Sequence, residues 1–180
     1  MKALTAALVL LTATSLQGQA PPDTAARRAA MERFAFLVGN WSGDAWAVVG
    51  RGQRLEMRQT EQVRFAVGGQ VLVVEGVGRL LRDGVPGDTA FHAFGTIDWR
   101  PDRGYRLRSF TLAGFEGEFP VELTEDGYRW TMDLPSGASV RYVMRRMPDG
   151  AWNERGEFVR ANQPGVPTTE LMLRRVPPGR

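Results

Sequence analysis

The sequence contains no cysteine, one histidine and one lysine, Lys2. The absence of cysteine excludes disulfides, thiol catalysis and cysteine-ligated zinc. A single histidine, His92, excludes any metal site built from several imidazoles. Arginine supplies nearly all of the positive charge, and the arginines are spread along the whole chain. Because nucleic-acid recognition requires a clustered basic face, no nucleic-acid partner is expected.

Long apolar runs are also absent, except at the N-terminus. Lys2 is followed by an almost entirely apolar segment from Ala3 to Leu11, and small residues stand at Gly18 and Ala20. This pattern predicts a secretory signal peptide over residues 1–20, because the apolar run is too short to span a bilayer. An uncleaved helical anchor is the alternative. We therefore expect one mature domain over residues 21–180, exported to the periplasm or secreted, with no membrane insertion after cleavage.

The remainder alternates between apolar and polar residues with a period of two. Between Leu55 and Phe65, apolar side chains alternate with charged or polar ones, and comparable segments follow to the C-terminus. Turn residues separate these segments, as at Gly68-Gly69 and Pro148-Asp149-Gly150. About nine or ten short strands at this spacing are typical of an all-β sandwich or barrel. Closure would remove exposed edge strands, but alternation alone does not separate a barrel from a filled two-sheet sandwich.

One helix precedes the strands. Asp23-Thr24 is a capping sequence, and the pattern predicts a helix running towards Phe36. Its buried side is expected to consist of Ala29, Met31, Phe34 and Leu37. A short helix of this kind would fit across one mouth of a barrel.

The first and last strands carry a recognisable pair of motifs. Gly39-Asn40-Trp41 opens the first strand, and Leu173-Arg174-Arg175 closes the last. Further matching stretches lie between them: Phe36–Gly43, Val67–Gly76, Phe91–Trp99, Tyr105–Ser109, Asp149–Glu157 and Glu170–Arg175. Together they resemble a family of exported bacterial proteins with a calycin-like barrel, of the lipocalin and fatty-acid-binding type. The resemblance implies an all-β, closed antiparallel barrel of about eight to ten strands with a short N-terminal helix, and no particular chemistry.

The chain has a weaker resemblance to nitrobindins, carried by its strand starts and by the ending Gly165–Arg175. Nitrobindins are barrels that bind haem through a histidine near the C-terminus. Where that family carries its histidine, this chain has Pro167-Thr168-Thr169. No cofactor is therefore expected, since imidazole is the usual ligand at such a site.

Five residues are candidate ligand contacts. His92 shares one strand face with Phe94, and it would act in the lumen as a hydrogen-bond donor or base; the alternative is a structural or surface histidine. Gln59 and Glu61 continue the face that carries Met57. Polar groups inside an apolar lumen usually contact a ligand or trapped water. A bulge that turns Gln59 and Glu61 outward is the alternative.

Two further residues are assigned a structural role. Trp41 and Arg175 are expected to stack, closing the barrel through a cation–π contact between its two ends. No catalytic residue and no metal ligand set is identified, because no nucleophile motif or calcium-loop spacing is present. The sequence predicts a monomer or weak dimer that binds a small, partly apolar molecule. A haem-binding nitrobindin-like protein, a barrel enzyme and an interaction protein with a filled core are the alternatives.

Overall fold

The computed structural model describes residues 23–177, and the predicted signal peptide lies outside them. The chain begins with α1 (Thr24–Met31), which continues into a 3-10 helix (Glu32–Leu37). Asp23 caps α1 as predicted, because its Oδ1 accepts a hydrogen bond of 2.8 Å from the amide of Ala26. No helix in this part of the chain is long and apolar enough to cross a bilayer.

Ten strands follow the helix. Their bounds are β1 (Gly39–Val49), β2 (Gln53–Ala66), β3 (Val71–Arg82), β4 (Val85–Arg100), β5 (Gly104–Thr111), β6 (Glu116–Leu123), β7 (Gly127–Asp133), β8 (Ser139–Arg146), β9 (Trp152–Val159) and β10 (Val166–Val176). Each strand pairs with its sequence neighbours, and β1 pairs with β10, so the sheet closes into an antiparallel barrel. The predicted all-β barrel is therefore confirmed, and the two-sheet sandwich is excluded.

A long hairpin joins β3 and β4. β4 begins at Val85, because Asp83 and Gly84 form a tight turn that joins it to β3. Both turn residues have positive φ, which Asp and Gly tolerate better than most residues. The two strands pair over almost their whole length, with register shifts near Arg79.

The helical segment closes one end of the barrel, which we call the plugged end. Met31, Phe34 and Leu37 are fully buried and pack with strand residues such as Trp41 and Leu72. Tyr105 fixes the helix from β5, donating a hydrogen bond of 2.9 Å to the carbonyl of Ala30. The prediction that Ala29 belongs to the buried side was wrong. Ala29 is exposed, because it lies about 200° around the helix from Met31.

The opposite end carries the β1–β2, β3–β4, β5–β6, β7–β8 and β9–β10 connections, and we call it the mouth. The inner side chains therefore change in character along the barrel axis. At the plugged end they form a closed hydrophobic core. Polar and small residues become frequent above it, and these define the candidate site.

Candidate ligand site in the barrel lumen

Strand β2 presents two polar side chains to the lumen. Gln59 is 2% exposed and Glu61 is 7% exposed, and among the described residues they are the buried polar or charged ones. Gln59 Nε2 donates a hydrogen bond of 2.7 Å to Glu61 Oε1. Both residues belong to the inward row of β2, between the buried Met57 and Val63. The strand keeps a regular register here, so no bulge turns these two side chains outward.

Glycines on the neighbouring strand make room for these two groups. Gly76 and Gly78 of β3 lie directly opposite Glu61 and Gln59 in the sheet register. A Cβ atom at Gly76 would lie 2.4 Å from Glu61 Oε1, and one at Gly78 would lie 2.7 Å from Gln59 Oε1. Both distances are far below van der Waals contact. The polar groups therefore lie against bare backbone on β3.

Glu154 of β9 is a second acidic group on the inner face. It pairs in register with Met144 of β8 and Leu171 of β10, whose side chains also face inward. Glu154 is not among the candidate residues that the sequence analysis selected. The alternation of β9 could have identified it. Trp152, Glu154 and Phe158 lie on one face of the strand, and that face is otherwise apolar.

The environment of the two acids favours their protonated forms. Burial raises the pKa of Glu61 from 4.5 to about 8, the hydrogen bond from Gln59 opposes this, and the charge of Glu154 adds to it. Burial likewise raises the pKa of Glu154 to about 7. The indole N–H of Trp152 lies beside Glu154 and partly lowers that pKa, although it makes no hydrogen bond of normal length and angle.

Two tyrosines share the electrostatic environment of these acids. Burial and the charge of Glu154 raise the pKa of Tyr142 to about 12. Burial, with the charges of Glu154 and Glu61, raises the pKa of Tyr128 well above its ordinary value. Both phenols therefore stay protonated at neutral pH and can donate hydrogen bonds.

Inner-face residues above the core are partly accessible. Glu154 lies deep among protein atoms, yet part of its surface remains accessible. The same partial accessibility recurs on inner-face residues of β5, β7, β8 and β10. These residues are Ser109, Thr111, Trp130, Met132, Tyr142, Thr169 and Leu171.

Aromatic rings line one side of this space. Trp130 and Tyr142 stack with their ring centroids 4.2 Å apart and their planes 9° from parallel. Phe119 lies 4.9 Å from Trp130, and Phe115, 46% exposed at the mouth, stacks on Phe119 at 6.3 Å. The rings form a continuous aromatic wall, defined as Phe115, Phe119, Trp130 and Tyr142, that leads from the mouth towards Glu154. Such a wall can hold an apolar or aromatic group.

Two of the five predicted contact residues lie elsewhere. His92 and Phe94 are on the outer face of β4, where the His92 side chain is 42% exposed and Phe94 is 38% exposed. His92 Nε2 lies 2.9 Å from Glu75 Oε1, also on the outer wall. The interpretation of His92 as a lumen group was therefore wrong, because the inward row of β4 is the one with Gly95 and Ile97. Met57, Gln59 and Glu61 do face the lumen.

Trp41 and Arg175 have the predicted geometry. They are direct partners in the β1–β10 register, and the Arg175 guanidinium lies 4.4 Å from the centroid of the Trp41 ring. Arg175 also donates hydrogen bonds to the carbonyls of Phe36 and Val38. Trp41 Nε1 donates a hydrogen bond of 2.7 Å to the carbonyl of Leu37. The pair thus joins both terminal strands to the helical plug.

Two pockets lie outside the lumen. One of about 920 Å³ opens at the plugged end, where charges of both signs, including Arg33 and Asp126, line it. The other, about 430 Å³, is a hollow in the wall beside Thr60 and Glu75, and Trp41 and Glu61 also line it. Neither brings a buried polar pair together with an aromatic wall. Among residues 23–177, no group of three His, Asp or Glu side chains could hold a metal ion.

Comparison with known proteins supports the fold alone. The crystal structure of Rv2717c from M. tuberculosis superimposes with a TM-score of 0.61, covering 82% of this chain and 98% of that one, at 15% sequence identity. No protein-family model matches the sequence. No curated protein matches it either. The chain is therefore similar to Rv2717c in its barrel architecture, and its function has to be inferred from the lumen itself.

Proposed function

We propose that this protein binds a small, partly apolar molecule in the upper lumen of its barrel. The observation that carries the proposal is the pairing of Glu61 and Glu154 with an accessible space and an aromatic wall. Ligand pockets are typically concave and mostly apolar, with a few convergent polar groups. The upper lumen has this composition. The partial accessibility of its inner-face residues argues against the alternative of an interaction protein with a filled core.

The lumen offers distinct contacts to the two parts of such a molecule. The aromatic wall would cover its apolar part, since flat rings pack well against stacked or tilted aromatic faces. Gln59, Glu61 and Glu154 would orient its polar part. Desolvating polar groups is unfavourable unless they are paired, so a ligand that satisfies these groups would be selected over a purely apolar one.

Two measurements test the proposal. Native mass spectrometry of the freshly purified protein should detect a co-purified small molecule. The neutral fluorescent probe N-phenyl-1-naphthylamine should increase in fluorescence when it enters the lumen. We expect Ser109→Phe, which fills the space from the inner face of β5, to reduce the probe's affinity at least about tenfold.

Thr60→Phe is the matched control. Thr60 lies on the outer face of β2 and lines the hollow in the wall, so the same side chain is added outside the barrel. The control variant should bind the probe as the wild type does. Loss of binding in Thr60→Phe with retention in Ser109→Phe would move the site to the outer wall. No binding to the wild type, together with no co-purified ligand, would contradict the proposed function.

A further inference from the structure

The described part of the lumen contains two acidic groups and no basic side chain paired with them. Among the described residues, no salt bridge includes Glu61 or Glu154; the acids that do form salt bridges lie on the barrel exterior or in its loops. Among the described residues, the basic side chains that contact rings of the lumen or the plug lie at the two ends of the barrel. Arg175 stacks on Trp41 and Arg146 lies over the ring of Phe36 at the plugged end, and Arg160 lies over the ring of Phe158 at the mouth. The site therefore carries acidic groups without a countercharge.

The polar groups at the site also have unused hydrogen-bonding capacity. Glu61 receives one hydrogen bond from the described residues, on Oε1 from Gln59, which leaves Oε2 free to accept another. Trp152 is 3% exposed, and its Nε1 has no hydrogen-bond partner although it lies beside Glu154. Buried polar groups are nearly always paired, so orphaned ones indicate a missing partner. An ionised Glu154 could accept from the Trp152 N–H and from a bound donor together.

We propose that the lumen site takes a protonated arylalkyl amine, its ammonium group bound by Glu61 and Glu154 and its ring held by the aromatic wall. This inference rests on the proposed function and specifies its ligand class. An ammonium group supplies three N–H donors and one positive charge. It therefore offers donors to the free Glu61 oxygen and to Glu154, and it offsets the repulsion between the two carboxylates.

The aromatic wall favours an organic cation over a metal ion. Trp130 and Tyr142 present stacked π faces close to Glu154, and a cation near such faces is attracted by the ring quadrupole. A hard cation such as Ca²⁺ instead needs six to eight oxygen ligands, which two carboxyl groups and one amide do not provide. An anionic ligand is disfavoured when these acids are ionised, because it would then face two negative charges without a basic partner.

Isothermal titration calorimetry at pH 7.5 with three ligands of similar shape tests the charge preference. The ligands are 2-phenylethylamine, 2-phenylethanol and 3-phenylpropionate, which share a phenyl ring and differ in the charge of the polar end. The amine should bind at least about tenfold more tightly than the alcohol, and the carboxylate most weakly. Amine affinity should also rise between pH 5 and pH 7.5, since deprotonation of the two acids creates the charge that binds it.

Variants assign the effect to the two acids. Glu61→Gln and Glu154→Gln should each weaken amine binding at least about tenfold and leave alcohol binding nearly unchanged. Glu157→Gln is the control, because Glu157 lies on the same strand but pairs with Arg141 on the outer face. It should bind the amine as the wild type does. If the lumen variants fail to fold by circular dichroism, the preference of the wild type among the three ligands decides the question alone.

The outcomes separate this inference from the proposed function. If the alcohol or the carboxylate binds as tightly as the amine, the cation inference is overturned while lumen binding stands. The same holds if none of the three binds but N-phenyl-1-naphthylamine does, in a manner sensitive to Ser109→Phe. If no ligand and no probe enters the lumen, both fall together.

Discussion

Glu61 on β2 lies directly opposite Gly76 on β3. Because Gly76 has no side chain, the Glu61 carboxyl group can occupy the space beside it. Both oxygens of Glu61 would lie within 2.6 Å of a Cβ atom at position 76. The barrel wall is thus shaped around a buried acid. Because burial raises the pKa of Glu61 to about 8, this acid is unfavourable for stability when ionised. Strongly shifted pKa values cluster at functional sites, which agrees with the binding role proposed for Glu61.

The first prediction concerns this contact. Gly76→Ala should destabilise the fold by about 1–3 kcal/mol, because the added methyl group must displace the Glu61 carboxyl group. Urea denaturation measures the change. Gly87→Ala is the control, since the nearest atom to its Cβ would be the Leu80 carbonyl oxygen at 3.7 Å. In a Glu61→Ala background, Gly76→Ala should lower the free energy of unfolding by less. An unchanged loss of stability would mean that the Glu61 carboxyl group does not clash with the added methyl group.

The second prediction concerns pH. Glu61, with a pKa of about 8, and Glu154, with a pKa of about 7, hold protons in the folded state that they release near pH 4.5 when unfolded. Their stabilising contribution is complete below pH 4.5 and is lost as pH rises through the folded-state pKa values. The free energy of unfolding should therefore fall between pH 5 and pH 8, with a slope of up to about 1.4 kcal/mol per pH unit for each group.

Denaturant titrations across this pH range, in the wild type and in Glu61→Gln, check the assignment. The groups that face the acids are Gln59, Tyr128, Tyr142 and Trp152, and the tyrosines stay protonated throughout because their pKa values are raised. Glu61→Gln should flatten the dependence, and the outer-face variant Glu157→Gln should keep it. A wild-type stability that increases from pH 5 to pH 8 would contradict the burial of both acids.

The third prediction concerns closure of the barrel. Trp41→Ala should lower the free energy of unfolding by about 3–5 kcal/mol, because it leaves a buried cavity and removes the hydrogen bond to the Leu37 carbonyl. Arg175→Ala should cost less, about 1–2 kcal/mol for the cation–π contact. The double mutant should cost less than the sum of both, since each single change already removes their shared contact. Strict additivity in urea unfolding would show that the stacked contact does not contribute.

The fourth prediction concerns His92 and Phe94. Because both lie on the outer wall, His92→Ala and Phe94→Ala should leave the affinity for N-phenyl-1-naphthylamine within about twofold of the wild type. Met57→Ala, on the inner face of β2, should change it. Fluorescence titration of the three variants compares the two faces. A selective loss of affinity in His92→Ala would place the site on the exterior.

The fifth prediction concerns haem. The one histidine of the sequence is directed away from the lumen and contacts Glu75, so the lumen offers no imidazole ligand. Titration with ferric haem should therefore give no Soret band typical of histidine ligation. A tight one-to-one complex with a shifted band, retained in His92→Ala, would indicate ligation by another side chain.

The sequence by itself determined an all-β chain with a capped helix at its start. The period-two alternation and the turn residues led to this prediction, whereas closure into a barrel was implied by the family resemblance and is established by the pairing of β1 with β10. Alternation and turn residues are local signals, because side-chain direction and turn conformation depend on neighbouring residues. The inward placement of Gln59 and Glu61 followed from the apolar residues around them on one strand. Their role in binding stays a prediction.

Only the tertiary structure decided which groups share the site. Glu154 approaches Glu61 across the lumen, although their strands, β9 and β2, are not neighbours in the sheet. The spacing of residues along the chain does not predict that these two acids lie near each other. The orientation of β4 was equally undecided, since aromatic residues occupy both of its faces and alternation does not say which one is inward. Strand register around the closed barrel determines both the proximity of the two acids and the inward face of β4. A shift of one residue would exchange the inner and outer faces of a strand.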